Sequence, residues 1–171
     1  VVESLGVDRV IFLPDEYLGR WVAANTEVEV ILWNWRCEVH EQFTADDVRD
    51  YRSQFPGVKV IAHPECSLEV LHEADMVGST SGMISYVAEQ RPERVVMITE
   101  CSMSDNVAAE FPELEFVRPC TICPHMKKIT LGKIVDSLQH LQHEVTVDPE
   151  VAQRARRSVE RMLEVGRGSG G

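Results

Sequence analysis

The sequence predicts an α/β protein whose short strands run parallel. Three observations support this prediction: strand-length apolar runs alternate with helical patterns, the connections between them are short, and one segment near the start is repeated later in the chain. Parallel strands need a crossover between them, usually a helix. The alternation therefore indicates helices layered on parallel sheets.

The first half of the chain alternates regularly between the two kinds of element. Apolar runs of strand length, VIFL and VEVILW, flank the helical segment EYLGRWVAAN. The next segment, TADDVRDYRSQF, begins with a threonine and an acidic first turn, which is typical of a helix N-terminus. It is followed by a predicted strand, VKVIAH, and a short predicted helix, SLEVLHEA.

The second half continues the same order. A short strand in DMVGST leads into the helix SGMISYVAEQ, and a strand, a helix and a strand follow in RVVMIT, MSDNVAAEF and LEFV. The segment TLGKIVDSLQHLQ predicts another helix, and EVTV predicts a final short strand. The last helix, DPEVAQRARRSVERMLEVG, has Asp148 at its N-cap and Pro149 in its first turn, both favoured there.

Composition excludes several functions. The 171 residues carry 17 basic and 28 acidic side chains, a net charge of −11, which disfavours binding to nucleic acid or anionic membranes. No apolar run approaches the roughly 20 residues of a membrane helix, and no signal peptide opens the chain, so a cytoplasmic location is expected. The start, VVESLGVDRV, lacks a methionine and lies close to the first strand, so we expect further chain upstream.

An internal repeat pairs two of the five cysteines. Residues 8–24 (DRVIFLPDEYLGRWVAA) align with residues 93–109 (ERVVMITECSMSDNVAA) at an offset of 85, with five identities. When the offset becomes 86 after the helix, Glu29 falls on Glu115 and Cys37 falls on Cys123. Each cysteine follows the carboxyl end of a strand, where open α/β sheets bind ligands.

The cysteines allow several interpretations. Equivalent thiolates predict an iron–sulfur cluster on a pseudo-symmetry axis, with a third domain supplying a third ligand and one iron left open. Ordinary buried cysteines are the alternative. A third possibility is a redox pair of Cys120 and Cys123, which the flanking Pro119 and Pro124 disfavour because such motifs usually open a helix.

Five motifs together carry a family resemblance. WNWRCEVHEQFT, IAHPEC, ADMVGSTSGMISY, MITE and CPHMKKITLGKI occur in this order. The chain resembles quinolinate synthase over residues 10–166. That resemblance implies an iron–sulfur-dependent enzyme, a transferase, which condenses iminoaspartate with dihydroxyacetone phosphate to quinolinate in NAD biosynthesis.

The resemblance also implies an architecture and a cofactor. The family has three similar αβα domains in a pseudo-symmetric arrangement around a [4Fe–4S] cluster, with one cysteine from each domain. Here Cys37 and Cys123 match the family's ligands. We therefore predict two repeated three-layer αβα units with short parallel sheets, residues 1–88 with Cys37 and residues 89–166 with Cys123, and a flexible tail at 167–171. The family is about twice as long, so the missing N-terminal domain would supply the third cysteine.

The resemblance assigns catalytic and substrate-binding residues as well. Pro64 makes an extended turn at a strand end, so the flanking His63 and Glu65 can face one cleft. The resemblance implies that Glu65 is an acid–base catalyst, that His63 is also catalytic, and that both contact the substrate. His40, three residues after Cys37, is expected in the same cavity and in contact with substrate. From the residues alone, a solvated glutamate and structural histidines are the alternative. Glu100 either faces this cleft or caps the following helix.

The GSTSG segment, residues 78–82, lies between a predicted strand and a helix. Ser79 and Thr80 would bind a phosphate or carboxylate of the substrate, since N–H groups at a helix start attract anions. An ordinary N-cap is the alternative. Should the chain lack catalysis, this loop predicts a non-catalytic fragment or a small-anion-binding module instead.

Overall fold

The computed structural model describes residues 1–119 and 121–168, so Cys120 and residues 169–171 of the predicted tail lie outside the described residues. It divides the chain into two compact units. One runs over Arg9–Pro124, and the other combines Val1–Asp8 with His125–Gly171. The larger unit holds both sheets, and we describe it first. Among the described residues, no helix combines the length and the apolar character needed to cross a membrane.

The larger unit begins with a two-stranded sheet. Strands β1 (Arg9–Phe12) and β2 (Glu29–Leu32) pair in parallel. The helix α1 (Glu16–Ala24) connects them, and the Asp15 carboxylate accepts a hydrogen bond from the Leu18 N–H at its start. This β1–α1–β2 unit is the crossover that the alternating pattern predicts.

A four-stranded parallel sheet follows. Its strands have the order β4-β3-β5-β6 and all neighbouring pairs are parallel. The strands are β3 (Lys59–Ala62), β4 (Met76–Val77), β5 (Arg94–Ile98) and β6 (Glu115–Val117). Helix α2 (Ala45–Gln54) precedes β3. Each pair of strands that are successive in the chain is connected by one helix: α3 (Leu68–His72), α4 (Thr80–Gln90) and α5 (Cys101–Glu110).

Both faces of this sheet are buried. Successive side chains of a strand point to opposite faces, and β5 shows the consequence. Val96 and Ile98 belong to one apolar cluster, which includes Val48 of α2 and Val70 of α3. Val95 and Met97 belong to a second cluster with Met83, Val87 and Val107 of α4 and α5. The sheet therefore lies between two helical layers, and the predicted α/β class with parallel sheets is confirmed.

The local repeat has a structural counterpart. We call residues 9–37 the first copy and residues 94–123 the second copy. Each forms a strand, a helix and a parallel strand, and each joins its two strands by the same ion pair. Arg9 lies 2.8 Å from Glu29, and Arg94 lies 2.6 Å from Glu115. The sheet of the second copy also includes β3 and β4, so the division at residues 88 and 89 and the three-domain architecture stay predictions.

The smaller unit contains two helices, α6 (Leu131–His140) and α7 (Pro149–Gly168). Thr130 caps α6, and Asp148 accepts hydrogen bonds from the Glu150 and Val151 N–H groups, as its sequence position predicts. The prediction of a strand at residues 144–147 is wrong, since this segment has no regular structure. Its apolar side chains, Val145 and Val147, are exposed, and no strand of the described residues pairs with it.

Candidate active site

The predicted site residues of the larger unit follow the carboxyl ends of its strands. Cys37 and His40 follow β2, and His63 and Glu65 follow β3. Cys123 follows β6. In open α/β sheets, ligands bind at this edge because loops from neighbouring parallel strands converge there. Four of the predicted residues, Cys37, His40, His63 and Glu65, come together in a single cluster.

His40 is at the centre of this cluster. It opens a short 3-10 helix, His40–Gln42, and its side chain is buried. Its Nε2 lies 3.0 Å from Thr99 Oγ1, and its Nδ1 lies 2.9 Å from Glu65 Oε2. The second contact is close but poorly directed, so Nδ1 has no well-aligned hydrogen bond among the described residues. A buried nitrogen in this state is available to a substrate atom or a cation.

His63 stacks on His40. The ring centroids are 4.6 Å apart, with an interplanar angle of 14°. The strand end fixes His63, because its N–H donates to the Ile98 carbonyl (3.2 Å) and its carbonyl accepts from the Cys66 N–H (2.9 Å). The resulting turn through Pro64 brings the Glu65 side chain close to the His63 ring, with Glu65 Oε2 3.7 Å from His63 Nδ1.

Electrostatics sets the protonation of the cluster. The nearby imidazole of His40 lowers the pKa of the Glu65 carboxyl, against the effect of burial, so this group is ionised at neutral pH. Burial lowers the pKa of His63, and the adjacent His40 adds to this effect. Burial raises the pKa of the Cys37 thiol. A bound cation would reverse the last shift, because thiolate is the form that binds metals.

Each of the two repeat cysteines is held by a buried carboxylate at the start of a helix. The Cys37 N–H donates to Asp15 Oδ2 (2.8 Å), while Asp15 Oδ1 accepts from the Leu18 N–H (2.7 Å). The Cys123 N–H donates to Glu100 Oε1 (3.3 Å), while Glu100 Oε2 accepts from the Ser102 N–H (2.7 Å). Glu100 therefore caps its helix, one of the two roles expected for it.

The donor atoms suit a metal. Ligand atoms of Cys37, His40 and Glu65 all lie within 4.8 Å of one another, a spacing that can hold a metal ion. Cys37 and Cys123 are both only partly buried, and both pack against the apolar cluster that includes Val96 and Ile98. Partly exposed thiols at the carboxyl ends of strands, each with its main chain fixed, fit the requirements of an iron–sulfur cluster ligand.

The other predicted residues have different surroundings. Ser79 is the N-cap of α4, since its Oγ accepts from the Gly82 N–H (3.2 Å), and it lies 3.1 Å from Ser81 Oγ. Thr80 begins the helix, and both residues are exposed. The N-cap alternative thus describes Ser79, whereas anion binding stays a prediction. Cys66 is fully buried, with its Sγ 3.6 Å from the Ile98 carbonyl, as expected for a structural thiol.

Sequence reasoning missed two residues of the site, Asp15 and Thr99. The repeat contained the signal for Asp15, because this residue aligns with Glu100 at the offset of 85. Both copies therefore have an acidic residue immediately before a helix. Thr99 gave no such signal. Its hydroxyl meets His40 across a sequence separation of 59 residues, which only the fold brings together.

Comparison with known proteins gives the family. The model of the Quinolinate synthetase A protein family matches residues 1–164. Quinolinate synthase 1 of Mesorhizobium japonicum is 62% identical over 163 residues, covering 95% of this chain and 50% of that protein. Quinolinate synthase of Agrobacterium fabrum is 61% identical over 165 residues, which cover 96% of this chain and 48% of that protein. Quinolinate synthase of Xylella fastidiosa is 54% identical over 165 residues, which cover 96% of this chain and 49% of that protein.

A parallel α/β unit with ionisable groups at the carboxyl ends of its strands is typical of enzymes that act on small molecules. The relatives carry the name of an enzyme of this kind. This chain belongs to the quinolinate synthase family. It spans about half the length of the curated relatives that it matches.

Proposed function

We propose that this chain provides the catalytic cluster and two cofactor ligands of a cytoplasmic quinolinate synthase, a transferase of NAD biosynthesis. Its substrates are iminoaspartate and dihydroxyacetone phosphate. The observation that carries the proposal is the cluster of Cys37, His40, His63 and Glu65 at the carboxyl edge of parallel strands. Family membership supplies the reaction.

Cys37 and Cys123 would hold a [4Fe–4S] cluster. Their equivalent positions in the two copies, and the carboxylate that accepts the N–H of each cysteine, support this assignment. The third cysteine would come from the N-terminal domain, in the half of the relatives that this chain does not match. When bound, such a cluster supplies an open iron that acts as a Lewis acid on substrate oxygen.

Glu65 would transfer protons. Condensation, dehydration and ring closure all require proton transfers, and an ionised carboxylate near two imidazoles can accept them. His40 Nε2 lies 3.0 Å from the Thr99 hydroxyl, which fixes the ring, and His40 Nδ1 lies 2.9 Å from Glu65 Oε2. His40 would thus present a fixed face to the substrate. The neutral, stacked His63 would contact the same substrate.

The substrate phosphate and carboxylates need anion-binding groups. Ser79 and Thr80 stand at the start of α4, which follows β4 at the same end of the four-stranded sheet. The N–H groups of a helix start favour negative charge. We assign the phosphate or a carboxylate of the substrate to these residues.

Cysteine replacement in a full-length protein tests the assignment. Cys37→Ser and Cys123→Ser should each remove most of the visible cluster absorbance and bound iron after anaerobic reconstitution, because each removes a thiolate ligand. Cys120→Ser is the matched control and should retain both. Equal loss in Cys120→Ser and Cys123→Ser would refute the assignment and favour the redox-pair alternative. Iron binding that survives both replacements would show that other residues hold the metal, whereas an unmodified full-length protein that takes up no iron would favour the non-catalytic, anion-binding alternative.

A further inference from the structure

Asp15 and Glu100 use both oxygens of their carboxylates in the same way. One oxygen accepts a main-chain N–H in the first turn of the following helix, at 2.7 Å in each copy. The other accepts the N–H of the repeat cysteine, 22 or 23 residues further along. We call these two residues the bridging carboxylates. Each fixes a helix start and a cysteine with one side chain.

The bridging carboxylates are more deeply buried than capping alone requires. Asp15 is 1% exposed and Glu100 is 7% exposed, whereas Asp148, which caps α7, is exposed. Burying a carboxylate costs free energy unless its oxygens are hydrogen-bonded. Two N–H donors reduce that cost for each carboxylate, and the Ser102 hydroxyl lies 3.4 Å from the Glu100 oxygen that accepts the Cys123 N–H. Loss of the cysteine N–H would therefore raise the cost of the buried position, more for Asp15 than for Glu100.

In each copy, a main-chain hydrogen bond also connects the start of the helix to the loop that holds the cysteine. The Glu16 N–H donates to the Trp35 carbonyl (2.7 Å), and the Cys101 N–H donates to the Thr121 carbonyl (3.0 Å). In both copies the donor is the first residue of the helix and the acceptor lies two residues before the cysteine. Each cysteine loop is therefore attached to its helix at two points.

We propose that Asp15 and Glu100 are positioning residues for Cys37 and Cys123. This inference rests on the proposed function, in which those cysteines bind the cluster. The bridging carboxylates hold the main chain of each ligand before the cofactor arrives.

The same arrangement would influence the redox properties of the cofactor. The potential of an iron–sulfur cluster depends on nearby charge and on hydrogen bonds to its sulfur atoms. Each bridging carboxylate adds negative charge beside a ligand and engages an N–H that would otherwise be available to sulfur. Both effects disfavour addition of an electron, so they lower the reduction potential.

Replacing the carboxylates by amides separates the two roles. An asparagine at position 15 still has an oxygen for the Leu18 N–H, and asparagine is a good N-cap. Its second group is an NH₂, which cannot accept the Cys37 N–H. Glu100→Gln makes the same change in the second copy. Asp148→Asn is the matched control, because it alters an acidic N-cap that holds no cysteine.

Amide hydrogen exchange on the 171-residue chain without cofactor gives the first readout. Asp15→Asn should accelerate exchange of the Cys37 amide roughly tenfold, as expected for one lost charge-assisted hydrogen bond, and leave the Cys123 amide unchanged. Glu100→Gln should do the reverse, and Asp148→Asn should affect neither. Unchanged exchange at both cysteines, or acceleration throughout the larger unit, would overturn the proposal.

Redox titration of the reconstituted full-length protein gives the second readout. Asp15→Asn should shift the cluster potential upward, whereas Asp148→Asn should leave it unchanged. A potential unmoved by both amide variants would overturn the electrostatic part. The proposed function and the positioning role can fail separately. If the cysteine variants keep their iron, the proposed function is wrong. The exchange result still decides whether the bridging carboxylates position the cysteines.

Discussion

The two copies of the repeat share a scaffold and differ in what surrounds the cysteine. In both, an acidic residue bridges a helix start to the cysteine, and an arginine and a glutamate join the strands. Three residues after the cysteine, the first copy has the buried His40 and the second has the half-exposed Met126. The shared scaffold thus gives Cys37 and Cys123 equivalent positions, whereas the ionisable groups His40, His63 and Glu65 cluster beside Cys37.

A second difference concerns the strands. Ile11 of β1 and Val96 of β5 occupy equivalent positions at the offset of 85, yet Ile11 is 73% exposed and Val96 is fully buried. The cause is the neighbouring structure. β5 lies between β3 and β6 under two helical layers, while β1 pairs only with β2 in the part of the chain that the structure describes. The same local sequence pattern therefore has two different packing environments.

The largest expected effect lies in the cluster beside Cys37. Glu65→Gln keeps the shape of the side chain but removes its ionisable group, and acid–base contributions run about 10²–10⁴-fold. We expect a loss of turnover in this range in a full-length protein, with iron content unchanged. Steady-state assays with both substrates measure it, and Glu69→Gln, an exposed glutamate four residues away, is the control. A rate close to wild type would show that another group carries the proton.

The strand comparison predicts the next largest effect. Val96→Ala should destabilise the 171-residue chain by about 2–3 kcal/mol, because it removes two buried methyl groups and leaves a cavity. Ile11→Ala deletes more carbon but should cost less than about 0.5 kcal/mol, since the side chain is exposed. Denaturant unfolding of both variants measures the difference. Equal losses would show that β1 is covered in solution, for example by a second copy of the chain.

The smallest effect concerns the segment between the two copies. Ser79→Ala should lower the stability by about 1 kcal/mol, because its hydroxyl caps α4. Thr80→Ala should leave the thermal midpoint almost unchanged but weaken binding of dihydroxyacetone phosphate about tenfold, if its hydroxyl binds the phosphate. Unchanged affinity in both variants would reject the anion-binding role and leave only the cap.

Much of the fold was predictable because short local sequence signals mark where its helices and strands begin. The threonine and acidic turn before α2 and the Asp-Pro start of α7 predict their helices correctly, and Thr44 indeed forms a capping box with Asp47. The strand predicted at residues 144–147 failed because apolar residues form a strand only with a partner, and pairing is a tertiary property. For the site, positions after strand ends placed His40, His63 and Glu65 together. Thr99 was beyond prediction, because its contact with His40 depends on how two distant loops meet.

In the part of the chain that the structure describes, one edge of β1 pairs with no strand, and this has a consequence for handling the protein. An unpaired strand edge offers free N–H and C=O groups to other chains, and here the exposed side chain of Ile11 belongs to the strand and that of Leu13 follows it directly. Concentrated samples of the 171-residue chain should therefore associate through this edge more readily than through the central strands. The stabilities of the Ile11 and Val96 variants should be measured on dilute samples, with light scattering at several concentrations to detect association. Association would bury Ile11 and conceal the contrast between the two strands.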